Sequence, residues 1–444
     1  LKAMPNGSFA KRMNLPWWKQ FILSLAGRKF DKMAKKYVVI GASVAGLAAV
    51  DILRKQDREG QIILISKETD IYSKCIMHFY MTGQRTKEEL SFVKENFLEE
   101  NSVCWVKGKE ALRIDTERKQ VILEDGERIE YDKVLVATGS HAFVPPVEGI
   151  TDTGNVLAFH SLKDCDEMME ISENVRNIVI LGAGLVGVDV AYGLSGRYKD
   201  KNITLIDMKG HMMSIQLDER AASVYEKEFA ARGVRQIYHT GIEKVEKNTA
   251  GNIQSVLLTN GKTIPCDLLI LAAGTRANTE LALASGLQTD QYGLVIDDTC
   301  RTSCEDIYGA GDVTGRDMVW PAASKEAMTA AYNMTGTEEH MTDFFKGKST
   351  INMYDIPAMA YGMPEAPDDS YTVECREGED GSYQKLIHKN GEICGVILQK
   401  NLEYAGVLNQ LISSRPDLTK LEKPLLDIDY GDLLWLTGEC VCEI

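Results

Sequence analysis

Short runs of consecutive apolar residues recur along the chain, and glycine-rich turns follow several of them. The first run is Tyr37–Ile40, and a second run, QIILIS, spans Gln61–Ser66. A continuous apolar run of this length is typical of a strand that is buried on both faces of a parallel sheet. The intervening stretch LAAVDIL has the length and composition of a helix. The pattern therefore predicts a strand, a turn, a helix and a second strand in that order.

The turn after the first run reads GASVAG and indicates a dinucleotide-binding unit. Gly41 permits the tight turn, Gly46 lets the helix approach the strand, and the helix N-terminus offers N–H groups to a pyrophosphate. Glu68 lies 27 residues after Gly41, where it is placed to accept a hydrogen bond from a ribose hydroxyl. Ser43 stands where the middle glycine of such a turn usually lies, and its small hydroxyl can still face a phosphate.

A second copy of the pattern begins 141 residues after the first. The turn GAGLVG at Gly182–Gly187 follows the apolar run Ile178–Leu181. The next strand-like run is closed by Asp207, 23 residues past the middle glycine. An acid at this position accepts from a ribose 2′-OH and repels a 2′-phosphate, so NADH is favoured over NADPH. Lys209 and His211 follow closely and weaken that preference.

Each of the two units is closed by a further apolar run and a similar turn. The run Val134–Ala137 precedes Thr138 and Gly139, and the run Leu268–Leu271 precedes a turn at Gly274. Because both units repeat the same order of elements, the sequence predicts a duplicated architecture with two parallel sheets.

The remainder of the chain predicts one more turn and a smaller α+β domain. In CEDIYGAGDVTG, Asp312 would ordinarily be interpreted as the N-cap of a helix. Farther on, two β-type runs flank Asn390 and Gly391, which is a hairpin signal. A helix is predicted to follow from about Glu403 to Ser413.

Charge and cysteine content exclude some classes of protein. The net charge of −15 over 444 residues argues against nucleic acid as a partner, since phosphate binding needs a basic surface. The ten cysteines are scattered, as in a protein of a reducing compartment, so we expect a cytoplasmic location. Two of them form a C-x-C pair, Cys440 and Cys442, which is too small a set for a metal centre by itself, and no metal site is predicted.

The segment before the first strand is basic and contains WWKQFILSLAG. We interpret residues 1–33 as an N-terminal extension; a signal peptide and an interfacial helix are the alternatives. No apolar run reaches the roughly 20 residues that span a bilayer. Membrane association would therefore be possible only through residues 1–32.

The ordered motifs GASVAG, VLVATG, GAGLVG, LILAAGTRAN and YGAGDVTG resemble those of the FAD-dependent pyridine nucleotide–disulfide oxidoreductase superfamily. The resemblance covers roughly residues 34–340. It implies an α/β fold with two Rossmann-like dinucleotide-binding domains, one for FAD and one for NADH, and a C-terminal α+β interface domain. The expected divisions are an FAD-binding domain in two parts (34–150 and 275–345), an NAD-binding domain (151–274) and an interface domain (346–444).

The resemblance also implies which residues hold the two cofactors. Asp189 stands where the superfamily often has glutamate, one methylene longer, on the nicotinamide side. The residues implied for FAD are Gly41, Ser43, Ala45, Gly46, Glu68, Lys74, Ala137, Thr138, Gly139 and Asp312. Those implied for NADH are Gly182, Gly184, Leu185, Val186, Gly187, Asp189, Asp207 and Gly274.

The stretch YSKCIMHFYMTG follows Glu68, where the chain of this superfamily passes the flavin. It lacks the C-x4-C of the dithiol members, because the next cysteine after Cys75 is Cys104. It is more similar to the rubredoxin reductase and nitrite reductase-like group than to the single-cysteine NADH oxidase and coenzyme A-disulfide reductase group. Lys74 would then be the cation near the flavin. Cys75 is a redox centre or a residue that lines the site, and His78 is a proton donor or a structural histidine.

We therefore expect an FAD-dependent NADH oxidoreductase. The expected acceptor is a redox protein or partner subunit, ferredoxin-like or rubredoxin-like. The alternatives are a single-cysteine disulfide or persulfide reductase or NADH oxidase or peroxidase that uses Cys75, and a flavin-holding subunit of a larger redox complex. The resemblance further implies a homodimer or a part of a hetero-complex.

Overall fold

A computed structural model describes residues 34–341 and 348–437 of the chain. Its helices are α1 Val44–Gln56, α2 Met77–Met81, α3 Phe97–Glu100, α4 Leu162–Asn174, α5 Leu185–Arg197, α6 Glu219–Ala231, α7 Glu280–Ala284, α8 Trp320–Thr335, α9 Ala405–Ser414 and α10 Tyr430–Thr437. Its strands are β1 Lys36–Ile40, β2 Gln61–Ser66, β3 Val103–Lys107, β4 Ala111–Asp115, β5 Gln120–Leu123, β6 Arg128–Glu130, β7 Lys133–Val136, β8 Ser140–Ala142, β9 Val156–Ala158, β10 Asn177–Leu181, β11 Asn202–Ile206, β12 Arg235–Ile237, β13 Ile242–Lys247, β14 Ile253–Leu258, β15 Thr263–Pro265, β16 Leu268–Leu271, β17 Thr275–Ala277, β18 Ile307–Gly309, β19 Ser349–Met353, β20 Ile356–Gly362, β21 Thr372–Glu377, β22 Tyr383–Lys389 and β23 Glu392–Gln399.

The first sheet has the strand order β18–β7–β1–β2–β3, and all of its strand pairs are parallel. Its central strand β1 is almost fully buried, as its uninterrupted apolar sequence predicts. Helices α1 and α8 pack against each other beside this sheet. Because β18 comes from much later in the chain than β7, the first domain is built from two separate segments.

The second sheet is formed by residues that lie between those two segments in the sequence. Its strand order is β12–β11–β10–β16–β9, and its strand pairs are again parallel. Helix α5 follows its central strand β10, as α1 follows β1. The small antiparallel sheet β4–β5–β6 shares a core with the first sheet, and the small antiparallel sheet β13–β14–β15 shares a core with the second. The antiparallel pair β8–β17 lies where the chain passes between the two domains. The fold is α/β with two Rossmann-like domains.

The C-terminal sheet is antiparallel, in the order β19–β20–β23–β22–β21. One of its faces, including Ala358 and Ile397, joins the core of the second domain, and the other, including Leu398, packs on α9. Lys385 and Asp218 form a buried ion pair across the first of these contacts, with Nζ 3.0 Å from Oδ2. Asp218 also caps α6, so the pair joins the C-terminal sheet to the second domain.

The elements follow the sequence predictions closely, with one correction. The predicted hairpin is formed by β22 and β23, and the helix predicted from about Glu403 begins at Ala405. The interpretation of Asp312 as an N-cap is wrong. Gly311, with φ of +81°, takes the position before the short 3₁₀ helix Asp312–Thr314, and α8 begins later.

Two sequence predictions lie outside the described residues: those on the N-terminal extension and on the C-x-C pair. Within 34–341 and 348–437, no helix is long and apolar enough to cross a bilayer.

Candidate active site

The first glycine turn is shaped by close backbone contacts. Gly41 has φ of +122°, and a Cβ placed there would overlap the carbonyl oxygen of Ala137. A Cβ at Gly46 would overlap the carbonyl oxygen of Gly41, because the first turn of α1 presses against the loop. These two glycines are therefore required by the fold itself, since no other residue fits the available space.

Position 43 is different, because its backbone is extended and any residue can adopt it. Ser43 precedes α1 with φ of −102°, and its hydroxyl makes no capping hydrogen bond. The first turn of α1, which includes Ala45, carries no acidic residue. The N–H groups at this helix end thus have no side-chain cap from Ser43, and the first turn itself carries no carboxylate. This arrangement fits the pyrophosphate of a dinucleotide such as FAD.

The second glycine turn repeats the arrangement. Gly182 has φ of +112°, and Gly187 lies against the carbonyl oxygen of Gly182. Gly184 has an extended backbone, no capping group, and open space where its Cβ would be. Leu185 and Val186 form the first turn of α5 and are half-buried. The residues present therefore fit a second pyrophosphate.

Asp207 follows β11 directly and faces the second turn. Its Oδ2 accepts a hydrogen bond from the Ala183 N–H at 2.6 Å, and its Oδ1 accepts from the Lys209 N–H at 2.7 Å. Its carboxylate is thus fixed beside the glycine turn, where sequence analysis expects a ribose. Gly274 lies exposed in the turn after β16, with φ of +111°.

The turn that contains Asp312 is supported from two sides. Asp312 Oδ2 accepts a hydrogen bond from Ser140 Oγ at 2.7 Å, which joins it to the turn at Thr138 and Gly139. From beneath, Glu326 Oε2 accepts from the Gly311 N–H at 2.7 Å. The Glu326 side chain is buried, and burial raises its pKa to about 7.

Sequence reasoning missed Glu326 and Ser140. The signal for Glu326 is an acidic residue on the apolar face of α8, where the neighbouring core positions are alanines. The signal for Ser140 is weaker, since a hydroxyl after a glycine turn is common.

Lys74 and Glu68 lie together beyond the C-terminal end of β2. Lys74 Nζ is 3.5 Å from Glu68 Oε1, and both side chains are half-buried. His160, which sequence reasoning also missed, lies near Lys74. Burial, with the Lys74 charge as a second cause, lowers the pKa of His160 to about 4, so this histidine is neutral.

Cys75 lies in the short 3₁₀ helix Lys74–Ile76 and is exposed. The surrounding protein desolvates the thiolate, and the charges of Asp189 and Asp312 add to this effect. Together they raise the pKa of Cys75 to about 11. This shift is opposite to the one that activation by Lys74 would cause, because a nearby positive charge lowers the pKa of a thiol. The structure thus brings together residues from both segments of the first domain and from the second domain.

The partner of Asp189 comes from the first domain. His78 Nδ1 lies 3.1 Å from Asp189 Oδ1, and the histidine side chain is only 8% exposed. The contact between His78 and Asp189 is not predicted from the sequence, where the two residues lie 111 positions apart.

Comparison with known proteins agrees with this geometry. The chain is 27% identical to the NADH-dependent phenylglyoxylate dehydrogenase subunit epsilon of Aromatoleum evansii, over 87% of this chain and 93% of that protein. It is also 27% identical to a rubredoxin-NAD(+) reductase of Alcanivorax borkumensis, over 81% of this chain and 94% of that protein. It spans about half (48%) of a Bacillus subtilis nitrite reductase [NAD(P)H] to which it is 25% identical over 88% of this chain.

Among solved structures, a covalent putidaredoxin reductase–putidaredoxin complex has the same fold. It aligns with a TM-score of 0.78 and 24% identity, over 92% of this chain and 99% of that chain. A family model described as pyridine nucleotide-disulphide oxidoreductase matches residues 35–327. The protein is an FAD-dependent NAD(P)H oxidoreductase that uses FAD and NADH, and it belongs to the pyridine nucleotide-disulphide oxidoreductase family.

Proposed function

We propose that the protein transfers electrons from NADH, through bound FAD, to a ferredoxin-like or rubredoxin-like protein or to a partner subunit. The observation that carries this proposal is that Cys75 has no second thiol to pair with among the described residues. Every cysteine there is free, Cys104 is buried on β3, and desolvation raises the pKa of Cys75 rather than lowering it. A thiol that stays protonated is a poor nucleophile, so the flavin is the redox centre that this site supports.

Bound FAD accepts a hydride from NADH and can release the two electrons singly, which suits a one-electron acceptor. In the proposal, the GASVAG turn and the N-terminus of α1 hold the FAD pyrophosphate. Glu68 and Lys74, which lie 3.5 Å apart, and the turns at Thr138, Gly139 and Asp312 supply its other contacts. The FAD-side residues are those inferred from the sequence: Gly41, Ser43, Ala45, Gly46, Glu68, Lys74, Ala137, Thr138, Gly139 and Asp312.

NADH is proposed to lie on the second glycine turn, with its ribose on Asp207 and its pyrophosphate at the N-terminus of α5. Asp189, one turn into α5, faces the first domain. The proposed NADH-side residues are Gly182, Gly184, Leu185, Val186, Gly187, Asp189, Asp207 and Gly274.

The names of the relatives support the proposed acceptor class. One relative is named for rubredoxin, one is a subunit of a dehydrogenase, and one solved structure holds a reductase with putidaredoxin. Tyr430 and Trp435 are exposed on α10, at 62% and 60% of their surface. We propose this part of the C-terminal domain as the contact with a second copy or a partner subunit, and a cytoplasmic location for the protein.

One observation favours a second function, in which Cys75 takes part in the chemistry. The Cys75 side chain is exposed and lies near Asp189 and Asp312, which come from different domains. A bound cofactor would change its surroundings, and a persulfide reductase is among the proteins of similar fold. A flavin-holding subunit without its own turnover is the third alternative.

An anaerobic reductive titration of the FAD-containing protein distinguishes these functions. We expect two electrons per FAD, no long-wavelength thiolate-to-flavin band, and the same result for Cys75→Ser. NADH should then support reduction of a small iron–sulfur protein in both forms. Uptake of four electrons, with a band that Cys75→Ser abolishes, would instead establish single-cysteine chemistry. Failure of NADH to reduce the flavin would favour the flavin-holding subunit.

A further inference from the structure

Helix α2 of the first domain packs closely against helix α5 of the second. A Cβ at Gly193 would lie 2.7 Å from Met81 Cε, and a Cβ at Gly196 would lie 2.7 Å from Thr82 Cγ2. Asp189, Gly193 and Gly196 are spaced by four and three residues, so they share one face of α5. The two glycines therefore allow the close approach that brings α2 opposite Asp189.

At this contact His78 meets Asp189, with Nδ1 3.1 Å from Oδ1. The pair is within ion-pair distance, but the ring is not turned to form a hydrogen bond of good geometry. Nδ1 is buried and finds no other hydrogen-bond partner in the part of the chain that the structure describes. A buried ring nitrogen without a partner is costly, so a small rotation toward the carboxylate would be favourable.

The ring of His78 is held by aromatic neighbours. Its centroid lies 4.2 Å from that of Phe79 and 5.4 Å from that of Tyr192. Tyr192 in turn contacts Tyr354, at the tip of the β19–β20 hairpin, at 4.9 Å. The histidine is therefore fixed from the first domain, the second domain and, through Tyr192, the C-terminal sheet.

Asp189 lies where the two cofactors must meet. Hydride transfer needs reacting atoms about 3 Å apart, so both reactive rings must reach the junction of the two domains. Asp189 is at that junction, because it follows the second glycine turn and acts electrostatically on Cys75, as does Asp312 of the first domain. This placement rests on the function proposed above.

We propose that His78 is a positioning residue that holds the Asp189 carboxylate at the junction during hydride transfer from NADH. NADH gives up a hydride, which carries two electrons and one proton, and becomes NAD⁺; the second proton of the reduced flavin comes from water. Positive charge develops on the nicotinamide ring in this step. A carboxylate held in place stabilises that charge without reorganising, whereas a freely rotating one does so less well.

The test is anaerobic rapid mixing of FAD-loaded protein with NADH, followed by flavin absorbance. The dependence on NADH concentration gives a limiting rate of flavin reduction and an NADH Kd. For His78→Leu we expect the limiting rate to fall on the order of 100-fold, as for a misplaced reacting group, with the Kd changed less than about threefold. His78→Asn keeps an N–H donor near Nδ1, and we expect it to recover most of the rate.

Asp189→Asn should lose about as much rate as His78→Leu, and the double variant should lose no more than either single variant. The matched control is a second histidine–carboxylate pair, His388 and Glu374 in the C-terminal sheet, at 3.3 Å. His388→Leu should leave the limiting rate unchanged. Thermal denaturation of every variant separates a packing defect from a kinetic one.

The proposal is overturned if His78→Leu and His78→Asn lose rate equally, or if only the Tm or the NADH Kd changes. The proposal is also overturned if the loss of rate in the double variant equals the product of the losses in the two single variants. The acceptor does not enter this experiment, so a wrong acceptor class leaves the result intact. If NADH does not reduce the flavin of the unaltered protein, the proposed function fails first, and this result is distinguishable from loss in the variants alone.

Discussion

The two nucleotide-binding domains are built on one plan, and their differences show which features the fold requires. In both sheets the strand before the glycine turn is central, with the following strand on one side and the closing strand on the other. Gly41 and Gly182 both have a positive φ, and a Cβ at either would overlap the carbonyl oxygen of the residue just after the closing strand. Ser43 and Gly184, in contrast, share an extended backbone that demands no glycine. The outer glycines thus serve the fold, and the middle position serves the ligand.

The acids and the closing turns differ between the domains. Asp207 is held by two backbone N–H groups, whereas Glu68 lies beside Lys74. The first domain receives its edge strand β18 from the later segment, and the turn after that strand lies on the buried Glu326. The edge strand beside the closing strand therefore comes from a distant part of the chain in the first sheet, whereas in the second sheet this edge strand is β9, which comes shortly before β10 in the chain.

The largest expected effect comes from matched glycine substitutions, one in each turn. Each substitution should impair binding of only one of the two cofactors. Gly41→Ala should give protein without FAD, because the Cβ overlaps Ala137 and the backbone conformation alone costs about 1–3 kcal/mol. Gly182→Ala should keep FAD but weaken NADH binding by about 100-fold, equivalent to about 3 kcal/mol. Flavin content after purification and the NADH Kd are the measurements.

Dithionite reduction is the control for these two variants, since it reports bound flavin without NADH. Equal loss of FAD from both would show that the domains fold as one unit, contrary to the comparison.

The next effect concerns stability and pH in the first domain. Burial raises the pKa of Glu326 from 4.5 to about 7, so the folded state holds this proton more tightly than the unfolded state. Its contribution to stability is fully present below pH 4.5 and is lost as the pH rises through about 7. Glu326→Gln cannot titrate and should gain about 3 kcal/mol relative to the unaltered protein between pH 4.5 and pH 8.

Unfolding of the FAD-loaded protein at several pH values measures this difference. Glu339→Gln, which removes one exposed negative charge in the segment after α8, is the matched control. A constant difference between Glu326→Gln and the unaltered protein across this pH range would contradict the assignment.

The duplicated fold could be predicted from the sequence because its determinants are local. The four-residue apolar runs became strands whose bounds lie within one residue of the predicted ones, and Leu268–Leu271 matches in both bounds. The glycine turns lie between the predicted strands and helices. These patterns need no information from elsewhere in the chain, since burial on both faces and the tight turn act on neighbouring residues.

The meeting of distant residues could not be predicted from the sequence. His78 and Asp189 are 111 residues apart, and their contact depends on the glycine face of α5 and on the packing of two domains. The raised pKa of Cys75 likewise arises from desolvation by the surrounding protein and from carboxylates on two other segments. A sequence shows Lys74 next to Cys75, but the structure directs Lys74 toward Glu68.

A smaller effect on nucleotide binding is expected from removing Asp207 or Glu68, the acids of the two domains. Asp207→Ala should weaken NADH binding by about 10-fold, since a hydrogen bond to a charged group contributes about 1.5–3 kcal/mol and water replaces part of it. The preference for NADH over NADPH should narrow by at least as much, because the repulsion of a 2′-phosphate is lost. Separate NADH and NADPH Kd values measure both effects.

Glu68→Ala is the matched variant in the first domain. It should lower FAD retention and leave the ratio of NADPH to NADH affinity unchanged. A change in that ratio with Glu68→Ala would mean that the two acids are not separated by domain.

The smallest effect is expected at the middle position of each turn. The backbone there accepts any residue, so a substitution should affect ligand binding and not folding. Gly184→Ala should leave the Tm unchanged or slightly raised, because the extended backbone accepts alanine and the unfolded chain loses freedom. NADH affinity should nevertheless fall, since the new methyl group occupies space beside the turn that is open in the protein alone. Ser43→Gly should change FAD retention less than about threefold, within about 0.7 kcal/mol. A large loss of FAD there, without a loss of Tm, would show that the Ser43 hydroxyl binds the phosphate directly and that the two turns use different chemistry.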